Sequence, residues 1–491
     1  MTAEHAEVRP GAYADSVTLM QVSRSVAALP GVGAVLVAMA TELNLGLLDG
    51  MGLPVPSGAS ANDLIVAVRA EDETSLAAAL SAVDDALSAR RGATGGGAGG
   101  AVADQPPRTV GLAARDTGPA LVLVSVPGQH AFTEAIDALE SGCDVMIFSD
   151  NVSVEQEIAL KEAADERGLL VMGPDCGTAV VGGVGLGFSH SLAPGPVGVV
   201  AASGTGAQQV LCLLDAAGVG VSAALGVGGR DLSADVGGRS TRAALRALDA
   251  DPTTDLIIVI SKPPADAVAA EIRRFADTLG TPVEFALIGG DRPDLTAATE
   301  HALRRLGVAV PRWPSWPGRA GEPRAGWLRG LFAGGTLCDE AMTIAALRFG
   351  AVYSNIPLQP DWLIDPRDRV DAHLMIDFGD DELTRGRPHP MIDQTLRLER
   401  FAAEAADERT AVLLLDVVLG HGAHLNPAAE IAAAIRDAPA ELPVVVSVIG
   451  ARADPQDISG QARILHDAGA HVFTSNAEAA RFACDLVVAT E

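Results

Sequence analysis

The sequence has 491 residues with 63 acidic and 35 basic side chains, a formal net charge of −28 and no block of Lys or Arg, which argues against nucleic acid as a partner. Hydrophobic residues make up 48%, enough for several cores, and roughly 150 residues per domain predicts three units or so. No apolar run reaches the ~18 residues that cross a membrane, and no basic flank precedes an apolar stretch at the N-terminus, so a cytoplasmic chain is expected.

Residues 15–91 read as a small α+β domain, ferredoxin- or ACT-like, behind a polar tail. The pattern predicts strands at 17–20, 34–39 and 64–68, a helix over 22–29, and a helix from 73 to about 90 carried by Leu76, Leu80, Val83 and Leu87. Residues 92–108 are too Gly-rich to pack and form a linker. Beyond them, strands apolar on both faces alternate with amphipathic helices, as at LVLVSV (121–126), VMIFS (145–149), VGVVAA (197–202), LIIVIS (256–261) and FALIGG (285–290). Such a pattern means parallel sheets covered on both sides. The Pro-rich stretch 192–198 divides it into units 109–193 and 194–311. A Pro, Gly and Arg-rich linker at 312–328 precedes a last α/β unit over 329–491.

The five cysteines, Cys143, Cys176, Cys212, Cys338 and Cys484, are scattered without CxxC spacing, so neither a disulfide framework nor a structural metal is expected. Cys176 falls at the end of a strand, where it reads as a small packed residue more readily than as a reactive thiol.

In open parallel sheets, ligands bind beyond the carboxyl ends of the strands, where helices start with unpaired N–H groups. Ser203, Gly204, Thr205 and Gly206 form one such turn after VGVVAA, suited to an anion or, equally, to plain capping. A second runs from Gly420 through His421, Gly422 and His424 to Asn426, the N-cap candidate before Pro427; its imidazoles suit acid–base work better than metal, with capping as the bland alternative. The loop 377–393 gathers carboxylates with Arg385, Arg387 and His389, a candidate for oxyanion recognition or simply a solvated charged loop. Gly334, Gly335 and Thr336 mark a further Gly-rich helix start, a weaker candidate for substrate binding. No Walker loop or GxSxG elbow is present, and no GxGxxG sits between an early strand and a helix.

Taken in order, GPDCGTAVVGG, VGVVAASGTGAQQV and GVGGRDLSADVGGRS resemble the α subunit of succinyl-CoA synthetase and other NDP-forming acyl-CoA ligases. FAGGTLCDEA and LLLDVVLGHGAHLNPA resemble the end of that enzyme's β subunit, and GRPHPMID, LGHGAH and DPQ resemble the FdrA family of acyl-CoA-synthetase-like proteins. The resemblance implies a CoA-binding-like Rossmann unit followed by two flavodoxin-like units. It also implies two helix starts facing one phosphate, here 203–206 and 420–426; in such a pocket Lys262, Arg385 or Arg387 is expected to balance charge and His421, His424 or His389 to serve as acid or base. The chain departs from the ligases in having DRPDLTA, without histidine, where they carry a phosphorylated histidine, Lys262 where they carry a glutamate, and no ATP-grasp unit. For the FdrA family the implied activity is carbamoyl transfer between carbamoyl phosphate and oxamate, in an oligomer with further subunits. Acyl-CoA formation with CoA on unit 109–193, or a non-catalytic ligand-binding scaffold, are the alternatives.

Overall fold

The computed structural model describes residues 2–12, 14, 16–56, 58–60, 63–93, 107–118, 120–319, 322–385 and 387–488. They divide into two compact units, Met1–Pro107 with Thr384–Pro388, and Arg108–Leu383 with His389–Glu491. Most of the expected linker 92–108 lies outside the described residues. None of the helices described is long and apolar enough to cross a membrane.

The first unit is an antiparallel sheet in the order Ala3–Arg9, Leu64–Ala70, Val32–Met39. Its central strand is buried on both faces. One face packs on Leu19, Val22, Val26, Leu76 and Val83, the other on Leu48 and Leu53. The expected strand at 17–20 and helix at 22–29 are a single helix, Ser16–Ala27, because Leu19, Val22 and Val26 recur at three- and four-residue spacing and bury one stripe. The polar tail is strand Ala3–Arg9, whose Glu4, Glu7 and Arg9 are the charges an edge strand carries against unwanted pairing.

The second unit holds three α/β modules. Strands Leu121–Val124, Asp144–Ile147 and Val171–Met172 make a small parallel sheet. The next sheet runs Val283–Leu287, Leu256–Ser261, Pro194–Ala202, Val221–Gly226, Thr178–Val181, Val184–Gly187; its first four strands are parallel and its last two form a hairpin. That hairpin precedes residue 194 yet pairs Val180 with Ala224, so the second sheet takes in strands expected in the module before it. The third sheet runs Ser315–Trp316, His471–Phe473, Val444–Ile449, Thr410–Val418, Trp327–Phe332, Leu374–Asp377, all parallel except the first. The 312–328 stretch is no free linker: Ser315–Trp316 adds to this sheet, and Arg324–Ala325 pairs with Val487–Val488.

Buried polar contacts lock these modules together. Lys161 Nζ, fully buried, donates to Glu157 (2.7 Å), Asp231 (2.8 Å) and the Val227 carbonyl (2.9 Å), tying the small sheet to the second. Between the second and third modules one apolar core is continuous, from Leu211 and Leu214 on helix Gly204–Ala216 to Leu337 and Ala341 on helix Gly335–Phe349. Gln209 accepts the Asn476 N–H (2.9 Å) and donates to the Thr474 carbonyl (3.1 Å), while Glu340 accepts from Leu295 N–H and Asn476 Nδ2, both at 2.7 Å.

Candidate functional site

Helix Gly204–Ala216 starts where strand Pro194–Ala202 ends, with Ser203 as its cap. Ser203 Oγ accepts the Gly206 N–H at 2.9 Å and donates to Thr336 Oγ1 at 2.7 Å. Thr336 lies on the first turn of helix Gly335–Phe349, which follows strand Trp327–Phe332. The two helix starts abut so closely that a Cβ on Gly334 would lie 2.8 Å from Thr205 Cγ2, and one on Gly206 3.0 Å from Thr336 Cγ2. Both starts leave first-turn N–H groups, at Gly204, Thr205, Gly335 and Thr336, without an intrahelical acceptor. Each terminus presents about half a positive charge, so their junction favours an anion.

Lys262 follows strand Leu256–Ser261 and reaches the same junction: a Cβ on Gly335 would lie 3.7 Å from its Nζ and 2.6 Å from Asp377 Oδ2. Burial works against its charge, but the carboxylates of Asp339, Asp377, Asp175 and Asp380 outweigh burial and raise its pKa, so it is a cation at neutral pH. Burial pushes the Asp377 carboxyl up to about 8, against the pull of Lys262 and of the Gly379 N–H at 2.9 Å. Asp339 is pushed up to about 6 by burial. Asp175 is open to solvent yet crowded by protein, which with Asp381 and Asp150 brings it to about 6. At pH 7, therefore, Asp377 carries its proton while Asp339 and Asp175 are mostly ionised. A neutral carboxyl beside an oxyanion site is a hydrogen-bond donor.

His389 joins this group. A Cβ on Gly379 would lie 2.8 Å from His389 Nε2 and 3.1 Å from Asp377 Oδ1. Burial, aided by Arg397, pushes the imidazole down to about 4, so the ring is neutral at pH 7. Its Nδ1 accepts the Met391 N–H at 3.2 Å, which leaves the ring proton on Nε2 as a donor. A small crevice is lined by Asp175, Cys176, Ser203, Gly204, Gly226 and Gly228. Cys176 is buried in its wall with the thiol pushed up to about 12 by burial, a packed residue and not a nucleophile.

The helix start found against 203–206 is 334–336, where the expectation was 420–426. In the turn after strand Thr410–Val418 three N–H groups bond to the protein: Gly420 donates to Gln456 Oε1 (3.1 Å), His421 to the Ser189 carbonyl (2.7 Å) and His424 to the Met391 carbonyl (2.8 Å). His421 is exposed and bonds Ser191 Oγ at 3.0 Å; His424 Nδ1 accepts the Asn426 N–H at 3.1 Å. Gly422 packs on the Phe188 ring, and Asn426 Oδ1 accepts from Gln461 instead of capping helix Pro427–Asp437. Arg385 and Arg387 are exposed, on the Thr384–Pro388 stretch that groups with the smaller unit. The second helix start is Gly334, Gly335 and Thr336. Asp339 and Asp416 went unrecognised in the sequence, although Asp416 was signalled by standing alone in the apolar run AVLLLDVVL.

Residues 331–486 match the CoA-ligase family model, and residues 1–103 match that of the AllF heavy metal-associated domain. YahF of Escherichia coli K12, an uncharacterized protein, is 36% identical over 98% of both chains. The α subunit of ADP-forming succinate–CoA ligase from Methanothermobacter thermautotrophicus is 28% identical over 38% of this chain and 60% of its own. Among solved structures, dinucleotide-forming acetyl-coenzyme A synthetase 1 of Ca. Korarchaeum cryptofilum, in complex with phosphate and ADP, is 15% identical over 79% of this chain and 86% of that one, with a TM-score of 0.27. The donors of the first unit do not fit a heavy metal. Residues 1–103 contain no cysteine and one histidine, His5, which lies 3.4 Å from Glu7 Oε2, and no group of three metal-ligating side chains exists among the described residues.

Proposed function

The chain belongs to the FdrA-like CoA-ligase family, and from that premise we propose that it transfers a small acyl group, carbamoyl foremost, between phosphate and a carboxylate-bearing acceptor such as oxamate. The observation that carries this reading is the junction of helix starts 203–206 and 334–336 beside Lys262. The phosphate of carbamoyl phosphate accepts the free first-turn N–H groups, with Lys262 balancing its charge and Asp377 and His389 as neutral donors. The acceptor's amide nitrogen attacks the carbamoyl carbon. The new C–N bond forms as the C–O bond to phosphate breaks, phosphate leaves, and the nitrogen's proton passes to ionised Asp175, which lines the crevice. We read the chain as cytoplasmic, oligomeric and assembled with further subunits.

A second reading, favoured by the CoA-ligase match, gives CoA the acceptor's place.

Two measurements test the proposal. Titration calorimetry on the full chain is expected to give competitive binding of carbamoyl phosphate and inorganic phosphate, weakened about tenfold or more in Lys262→Ala. Phosphate release from carbamoyl phosphate and oxamate, followed in the assembled complex with and without CoA, is expected without CoA. Release that requires CoA and yields a thioester supports the second reading, and an absence of phosphate binding overturns the first.

A further inference from the structure

Asp416 lies in the middle of strand Thr410–Val418, its side chain fully buried. Its Oδ1 accepts the Ala333 N–H at 2.7 Å and its Oδ2 the Gly334 N–H at 2.8 Å. Arg397, equally buried on helix Thr395–Ala405, donates through Nη1 to Asp416 Oδ1 at 2.7 Å and to its carbonyl at 2.9 Å, and Gln394 holds the other end of the guanidinium. A buried carboxylate satisfied in this way is costly to disturb, because either partner left alone is an unpaired charge in the core. No ligand-facing role is open to it.

The consequence appears one residue further on. Gly334 packs directly on Thr205 of the opposite helix start, and Gly335 lies against Asp377 and Lys262. Drawing the Ala333 and Gly334 N–H groups inward fixes the backbone just ahead of Gly335 and Thr336, whose N–H groups are the next along the chain and have no intrahelical acceptor. The geometry points to Asp416, held by Arg397, as the positioning residue that sets the second helix start for anion binding and seats it against the first. This rests on the reading that the two helix starts bind phosphate.

The test measures inorganic phosphate affinity of the full chain by calorimetry, together with amide hydrogen exchange over 333–336. In Asp416→Asn the amide accepts one N–H and turns its own N–H toward the other. The expected result is affinity lower by about tenfold or more and faster exchange. Arg397→Met combined with Asp416→Asn removes the orphaned charge and is expected to regain the thermal midpoint without regaining affinity, which separates positioning from stability. Wild-type affinity in that double variant overturns the inference. If the wild-type chain binds no phosphate, the proposed function falls, and with it the anion-binding role of Asp416. Unchanged exchange in Asp416→Asn overturns the positioning claim alone.

Discussion

Asp377 shows how one buried carboxyl links chemistry to stability. Its pKa stands near 3.8 when unfolded and about 8 when folded, so between those values the native state alone holds the proton. Stability then falls as pH rises through that window, by up to ~1.4 kcal/mol per pH unit, and is level above it. Asp377→Asn is therefore expected to unfold at higher temperature than wild type at pH 8, by an amount corresponding to a few kcal/mol, with the difference vanishing near pH 4. Thermal melts across that range check it. The same titration predicts that phosphate affinity declines above pH 8, as the donor becomes a second negative charge. The sequence contained this residue within a loop of charges, yet its role depends on burial and on Lys262, over a hundred positions away. Composition carries no trace of such an encounter.

At the scale of elements, the strands of the second and third sheets were legible because they are apolar on both faces, as buried parallel strands must be. Strand Ala3–Arg9 was not, since an edge strand alternates small apolar residues with charge and reads as a tail. Both helix starts were also singled out by their glycines and hydroxyls. Their pairing was not legible: Ser203 meets Thr336 across 133 positions, whereas the turn at 420–426 offered a more conspicuous set of histidines. Three of that turn's N–H groups meet acceptors, at Gln456, Ser189 and Met391, that only folding brings to it. Ser203→Ala removes a helix cap and a bond between modules at once, and is expected to cost about 1–3 kcal/mol in denaturant melts. His421→Ala, on the exposed ring, is expected to leave phosphate affinity unchanged in the same calorimetric titration that reads Lys262→Ala.

At the scale of the molecule, the second and third modules share one core and the polar contacts of Gln209, Glu340 and Asn476, so they are expected to unfold together. Asn476→Ala strips three buried partners and is expected to lower the midpoint of that shared transition, by about 2–3 kcal/mol in calorimetric melts, leaving the transition of the first unit in place. Both halves of the anion junction belong to one polypeptide, where the resemblance to the ligases implies one half on each of two subunits. Their encounter is a first-order event, independent of how much protein is present. Dilution that parts two subunits therefore leaves these two helix starts together.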